Sequence, residues 1–284
     1  MKKHLPIVAP FLLGLSMAGC HSQSAHTVAA VSAPGVSARS ALAAEQPITA
    51  ALPQAVPDSL RLLQTLDLAP LWMREDDGKP AKSAMDGFYG ADQYHIAFYF
   101  DSVQRDARQP ALYHVWGRDR YKHITTPFAG TCTITRLLPL ADTVSMKDSQ
   151  TAPAYSALAT FTLREDPSTK GAGTYNGQAY LDFCLDRAGQ PVQCEFMDMD
   201  AGAGNPTKGV GLLFRGEWRS NNTGQTKPVA WASWYGAVVP DALRKLGLGE
   251  RGEEVNPKLA RYGWGEKWEN DEWWADSPKP SMNL

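Results

Sequence analysis

The chain has 284 residues, 43% of them hydrophobic, and carries 28 Lys and Arg against 30 Asp and Glu for a formal charge of −2. That balance argues against electrostatic capture of nucleic acid, which needs a clustered basic surface. Nine tryptophans and the apolar content suffice for one sizeable core, and the even scatter of glycine and proline among short β-rich runs points to a mainly β fold.

Residues 1–19 open with Lys2, Lys3 and His4, continue through an apolar run from Leu5 to Met17, and end in the small pair Ala18-Gly19. This is the pattern of an export signal, too short to span a bilayer. Ser16-Met17-Ala18-Gly19-Cys20 resembles the lipobox of bacterial lipoproteins. The resemblance implies cleavage before Cys20, lipidation of that cysteine, and three acyl chains that hold the protein stably on a membrane. In such lipoproteins an Asp after the cysteine favours the inner membrane; His21 stands there instead, which implies a lipid anchor on the periplasmic face of the outer membrane. Loss of residues 1–19 removes Lys2 and Lys3 and no carboxylate, taking the formal charge from −2 to −4.

Residues 20–57 are rich in Ala, Ser, Val, Gln and Pro without helical or strand period, and read as a tether spanning on the order of 30–40 Å. The β-rich globular domain is expected over 58–284. Leu60, Leu62, Leu63 and Leu66 predict one short amphipathic helix that Ala69-Pro70 stops, and the polar stretch from Arg74 to Met85 predicts a loop. Tyr94, Ile96, Phe98 and Phe100 then alternate with His95, Ala97, Tyr99 and Asp101 as a half-buried strand does. Further strands are predicted over 112–118, 121–138 with a bend at Pro127 and Gly130, 156–164, 173–185 and 191–197. A short helical stretch is expected within 240–246, followed by a Trp-rich C-terminal strap closing one end of the domain.

The most informative stretch is 209–236, which reads as a hairpin. Val210, Leu212, Phe214, Gly216 and Trp218 share one face. A four-residue loop over 222–225 would set Trp218 opposite Val229, Gly216 opposite Trp231 and Phe214 opposite Ser233. Eight or so consecutive short strands make an antiparallel meander that forms a single barrel-like domain of calycin or lipocalin type, or a sandwich. Gly216-Glu217-Trp218 resembles the Gly-x-Trp of lipocalins, and Asp86-Gly87-Phe88-Tyr89-Gly90 with Gly117-Arg118-Asp119-Arg120-Tyr121 is faintly similar to uncharacterised exported bacterial domains. No activity comes with either resemblance.

With Cys20 acylated, Cys132, Cys184 and Cys194 remain. A disulfide between Cys184 and Cys194 requires an odd-numbered loop between their strands, whereas the apolar pattern prefers an even one that pairs Phe183 with Cys194; both registers stay open. No cysteine or histidine spacing suggests zinc, and no cofactor is indicated. Asp198, Asp200 and Asn205 partly match a calcium loop, but Gly209 stands where the closing Glu should be, so a plain loop fits better. His95, His114 and His123 lie on separate strands and would make an acid–base or metal site only by converging with Asp101 or Asp119. Arg118 and Arg120, with Lys122 and His123, make a basic cluster able to hold an anion, although a charged hairpin turn fits these residues better. Trp218 and Trp231 are candidates to line a pocket for a small apolar ligand, and Trp264, Trp268, Trp273 and Trp274, among acidic residues, could stack on glycan rings. The leading expectation is a binding or envelope-support module without catalytic residues; the alternative is a hydrolase of envelope polymers using carboxylates such as Glu217 or Asp200.

Overall fold

The computed structural model describes residues 59–75, 78–79, 81, 83–140, 143–145, 152–196, 205–248, 256–265 and 272–276. The export signal, Cys20 and the tether lie outside these residues, as does nearly all of the calcium-like loop.

Eleven strands follow two short helices, α1 (Ser59–Thr65) and α2 (Ala69–Trp72). The strands are β1 (Met85–Tyr89), β2 (Tyr94–Arg105), β3 (Leu112–Tyr121), β4 (Ile124–Leu140), β5 (Thr143–Ser145), β6 (Ala154–Glu165), β7 (Gly173–Leu185), β8 (Pro191–Val192), β9 (Cys194–Phe196), β10 (Leu212–Ser220) and β11 (Thr226–Ala232). Nine of them form one antiparallel sheet in the order β10-β11-β1-β2-β3-β4-β6-β7-β8. β10 also pairs with β7, from Leu212 opposite Leu181 to Ser220 opposite Gly173, so the sheet closes in a ring. Closure removes the long unpaired edges that an open meander would expose. No helix among the described residues is long and apolar enough to cross a membrane.

Period-two alternation decides which side chains enter the ring. Ile96, Phe98 and Phe100 of β2, Tyr113 and Val115 of β3, Phe161 and Leu163 of β6, and Phe214 and Trp218 of β10 belong to one buried core. A bulge between Phe100 and Ser102 returns Val103 to the inside after one extra residue. Trp231 fills the middle of the ring. It stacks on Phe98 at 3.9 Å and on Phe214 at 4.6 Å, with the edge of Phe161 at 5.3 Å. The interior is therefore packed by aromatic rings around Trp231, which has no exposed surface.

The 209–236 hairpin has the expected faces and a different register. Phe214 lies opposite Trp231, Gly216 opposite Val229 and Trp218 opposite Lys227. The slip is two residues, which leaves every side chain on its face while changing its partner. Stacking of Phe214 on Trp231 rewards this register, and the loop that closes it moves one residue toward the N-terminus, with the Ser220 N–H donating to the Gln225 carbonyl at 2.9 Å, Gly224 at φ 69° and its N–H donating to the Ser220 carbonyl at 3.0 Å. The glycine opposite Trp231 is Gly87 of β1, whereas Gly216 faces Gly177 of β7, where a Cβ would strike the Asn176 carbonyl.

Other departures are local. Pro70 starts α2 rather than ending a helix, as a residue without an N–H can do in a first turn. β1 begins at the end of the stretch expected as a loop. The expected strand 121–138 is broken by a two-residue turn, Lys122 and His123, both at positive φ (48° and 66°), while Pro127 and Gly130 sit within β4. Over 191–196 two short strands replace one, and the loop between Leu185 and Pro191 has five residues, an odd number. Cys184 and Cys194 consequently share a face and are joined by a disulfide, their Cα atoms 5.1 Å apart.

The two ends of the ring differ. At one end Leu63, Leu66, Leu68 and Trp72 of the α1–α2 segment are buried, Trp72 packs on Tyr113 and Phe214, and the Leu68 N–H donates to Tyr113 Oη at 3.2 Å. Arg105 ties the segment down by donating to the Leu63 carbonyl and, at 3.0 Å, to the Gln64 carbonyl. The opposite end is a mouth formed by the turns after β1, β3, β6 and β10. The described residues of the C-terminal segment close neither end. Tyr235, Val239, Leu243, Leu259 and Trp264 cluster with Phe88 on the outer face of β1, and Trp274 of α4 (Trp273–Asp276) stacks on Tyr99 at 5.6 Å. Between them α3 (Asp241–Arg244) forms within the stretch expected to be helical.

Candidate functional site

Alternation carries two acidic residues into the ring at the mouth. Asp119 continues the inward phase of Tyr113, Val115 and Gly117 on β3, and Glu165 continues that of Phe161 and Leu163 on β6. β4 lies between them, with Thr126 opposite Asp119 and Phe128 opposite Glu165. Asp119 is 1% exposed and Glu165 7%. Burial of two carboxyl groups is costly unless each finds donors or one takes a proton.

Glu165 has its donors. The Gly173 N–H reaches Oε2 at 2.5 Å, Trp218 Nε1 reaches the same oxygen at 2.7 Å, and Tyr175 Oη reaches Oε1 at 3.3 Å. The turn between β6 and β7 sets the first of these, since the Asp166 side chain accepts from the Ser168 N–H and the Thr169 carbonyl from the Ala172 N–H. Glycine is required at 173 because a Cβ there would lie about 2.3 Å from the Trp218 ring. Asp119 stands differently. Its Oδ2 is buried and accepts no hydrogen bond from the protein. Burial first, and then the neighbouring Glu165 charge and the contact between the carboxyls, push its pKa well above the ordinary carboxylate range. Three donors reach Glu165, whereas Asp119 is the member of the pair that burial disposes to keep its proton.

The carboxyls sit at the floor of a cavity of about 80 Å³ lined by Tyr89, Tyr121, Tyr175 and Trp218, with Lys170 and Gly171 at its edge. Tyr89 is the hub of the aromatic wall, 4.7 Å from Tyr121 and 5.7 Å from Trp218. Lysine ammonium groups lie over these rings. Lys227 Nζ is 5.0 Å from Tyr89 and 5.7 Å from Trp218, and Lys122 Nζ is 4.9 Å from Tyr94 and 5.3 Å from Tyr121. Burial, followed by the Glu165 charge, raises the Tyr89 phenol far above its ordinary range, so it remains a neutral hydrogen-bonding group.

The residues singled out as ligand-binding from sequence do not form one site. Trp218 lines the mouth, but Trp231 is sealed in the packed interior. Arg118 and Arg120 lie on the outer face of β3, in the other phase of its alternation. Arg118 is buried in a two-pronged ion pair with Asp101 at 2.9 and 2.6 Å, and Arg120 lies over the Trp273 ring at 6.0 Å. The histidines do not converge either, because His95 pairs with Asp86 at 2.8 Å, His114 pairs with Asp106 at 3.0 Å, and His123 occupies a turn. Trp264 is buried, Trp273 and Trp274 pack along the outer wall, and Trp268 lies outside the described residues. Glu217 is exposed on the outer face, and Asp200 lies outside the described residues.

A larger hollow of about 240 Å³ lies between α2 and the β7–β10 seam, lined by Leu71, Arg74, Asp182, Val210, Leu212 and Ser233 among others. It holds one buried acid, Asp182, which accepts from Thr207 Oγ1 and faces Ser156 across the β6–β7 ladder. The mouth alone gathers two carboxyls and an aromatic wall.

Asp119 and Glu165 were legible in one respect. A charged residue on the apolar phase of a strand is a buried polar group in need of a reason, and both acids satisfy that test. What alternation cannot supply is that strands three places apart in chain order bring the two together. No protein-family model, curated protein or solved structure matches the chain.

Proposed function

We propose that this chain is a lipoprotein anchored through Cys20 at the periplasmic face of the outer membrane, and that its barrel-like domain is a binding module whose site is the mouth rather than the interior. The Cys20 motif supports the address. The buried Asp119–Glu165 pair is the single observation that carries the site, because a carboxyl pair held in a largely apolar environment lowers stability and is retained where its charge or its proton is used. The aromatic stack around Trp231 fills the space that a carrier of apolar molecules would keep open, so a ligand of that class has no room inside.

Two measurements test this reading. Cys20→Ser should release the protein from the membrane fraction or leave it unprocessed, and a mature wild-type N-terminus that is unlipidated or lies elsewhere contradicts the anchor. A thermal-shift panel of cations, glycans, lipids and small aromatics should yield at least one saturable stabilisation that Asp119→Asn abolishes. Silence across the panel, or shifts indifferent to Asp119→Asn, overturns the mouth as the binding site.

A further inference from the structure

Resting on that reading of the mouth, we infer that the pocket receives a small organic ammonium ion, the head of a primary amine, bound between the Asp119–Glu165 pair and the aromatic wall of Tyr89, Tyr121 and Trp218. Four features of the pocket converge on this ligand class. Its floor is acidic, and among the described residues no ion pair reaches either carboxyl. Asp119 Oδ2 lacks a donor, and an N–H of the ligand supplies one. The wall presents aromatic faces, which attract cations through their negative quadrupole. Two ammonium groups of the chain itself, Lys227 and Lys122, already lie over Tyr89, Trp218, Tyr94 and Tyr121, so the environment accepts this chemical group. The cavity of about 80 Å³ has room for an ammonium head and its first carbons.

The charge balance fixes the coupling to protons. In the free protein Asp119, buried beside Glu165, holds its proton. The incoming ammonium displaces that proton to solvent, and its own N–H groups replace it as donors between the two acids. Binding therefore tightens with rising pH, by about tenfold per pH unit for as long as the free site keeps its proton. The charged and titratable groups facing Asp119 are Glu165 from β6, Tyr175 from β7, Tyr89 from β1 and Tyr121 at the end of β3, with Lys170, Lys227, Lys122 and Asp92 at the rim. The lysine ammonium groups oppose the ligand. Lys227, whose ammonium shares the rings the ligand would use, is its main competitor.

The test is a titration of the purified full-length chain with methylammonium chloride, following the Trp218 indole N–H resonance by NMR at two pH values. A saturable displacement is expected, stronger at the higher pH, with tetramethylammonium at least about tenfold weaker because it has no N–H to donate. Asp119→Asn, which preserves shape and can still donate to Glu165, should weaken binding at least about tenfold and remove the pH dependence. Lys227→Met should tighten binding several-fold. Absence of a saturable displacement, equal affinity for tetramethylammonium, or unchanged affinity in Asp119→Asn overturns the inference. If the thermal-shift panel meanwhile shows an Asp119-dependent ligand of another class, the mouth remains the binding site and only the ammonium assignment falls.

Discussion

The helix-capped end of the ring and its mouth are made by the same strands and stabilised in opposite ways. At the capped end Trp72, Tyr113, Phe214 and the leucines of α1 and α2 exclude water, and the polar atoms there serve to dock the cap, as with Tyr113 Oη and the Arg105 guanidinium. At the mouth the same inward phase carries Asp119, Glu165 and Tyr175, and no helix among the described residues covers them. One end gains its stability from buried apolar area, and the other spends some of it on groups that would be better solvated. A fold selected only for stability would place apolar residues at both ends, so the difference separates scaffold from site.

Substitutions can break this contrast. The largest losses belong to the scaffold: Trp231→Ala in the middle of the ring and Trp72→Ala under the cap should each cost about 3–5 kcal/mol in denaturant unfolding, the range for truncating a buried aromatic. A midpoint near wild type for either would show that the ring is not packed as described. Asp182, buried on the outer face beside Thr207, comes next. Burial raises its pKa to about 6, so between the ordinary carboxylate range and pH 6 the folded state holds a proton that the unfolded state has lost. Stability then falls as pH rises through that interval, by about 3 kcal/mol at order of magnitude. The difference in unfolding free energy between wild type and Asp182→Asn should shift by this amount between pH 4 and pH 7 in favour of the variant, and a constant difference would refute the assignment.

At the mouth the effects are smaller and change sign. Trp218→Phe keeps most of the ring contacts but removes one donor to the Glu165 carboxylate, for an expected loss of about 1.5–3 kcal/mol. Asp119→Asn should cost little, or stabilise, at neutral pH, because the unfolded chain no longer gives up a proton that the folded state keeps. That advantage should shrink as the pH falls toward the ordinary carboxylate range. A large loss of stability in Asp119→Asn at every pH would make the pair a structural element and erase the contrast between the ends.

Much of the ring was legible because its strands bury one face and so alternate strictly; Gly173–Leu185 has the expected limits, and the inward faces of β2 and β10 follow the pattern. Register was less so. A slip of two leaves alternation intact, and only the stack of Phe214 on Trp231 chooses between the alternatives. A charged hairpin turn was legible in the basic cluster from Arg118 to His123, but its exact place was not, because Lys122 and His123 take positive φ without the Asn-Gly or Asp-Gly that normally marks a two-residue turn. β1 escaped because Asp86 and Gly87 resemble a loop, although Gly87 is there to admit the backbone opposite Trp231. The site was half-legible: two acids stood in the apolar phase, and their meeting depends on β3 and β6 pairing to the two sides of β4, which no single strand encodes.

The most direct measurement follows the Asp119 side-chain carboxyl by carbon-detected NMR across pH in the full-length chain. The expected result is a carboxyl still protonated at neutral pH, losing its proton when an ammonium ligand is added. A carboxyl that titrates in the ordinary range near pH 4, indifferent to any ligand, would contradict a mouth built around a shared proton.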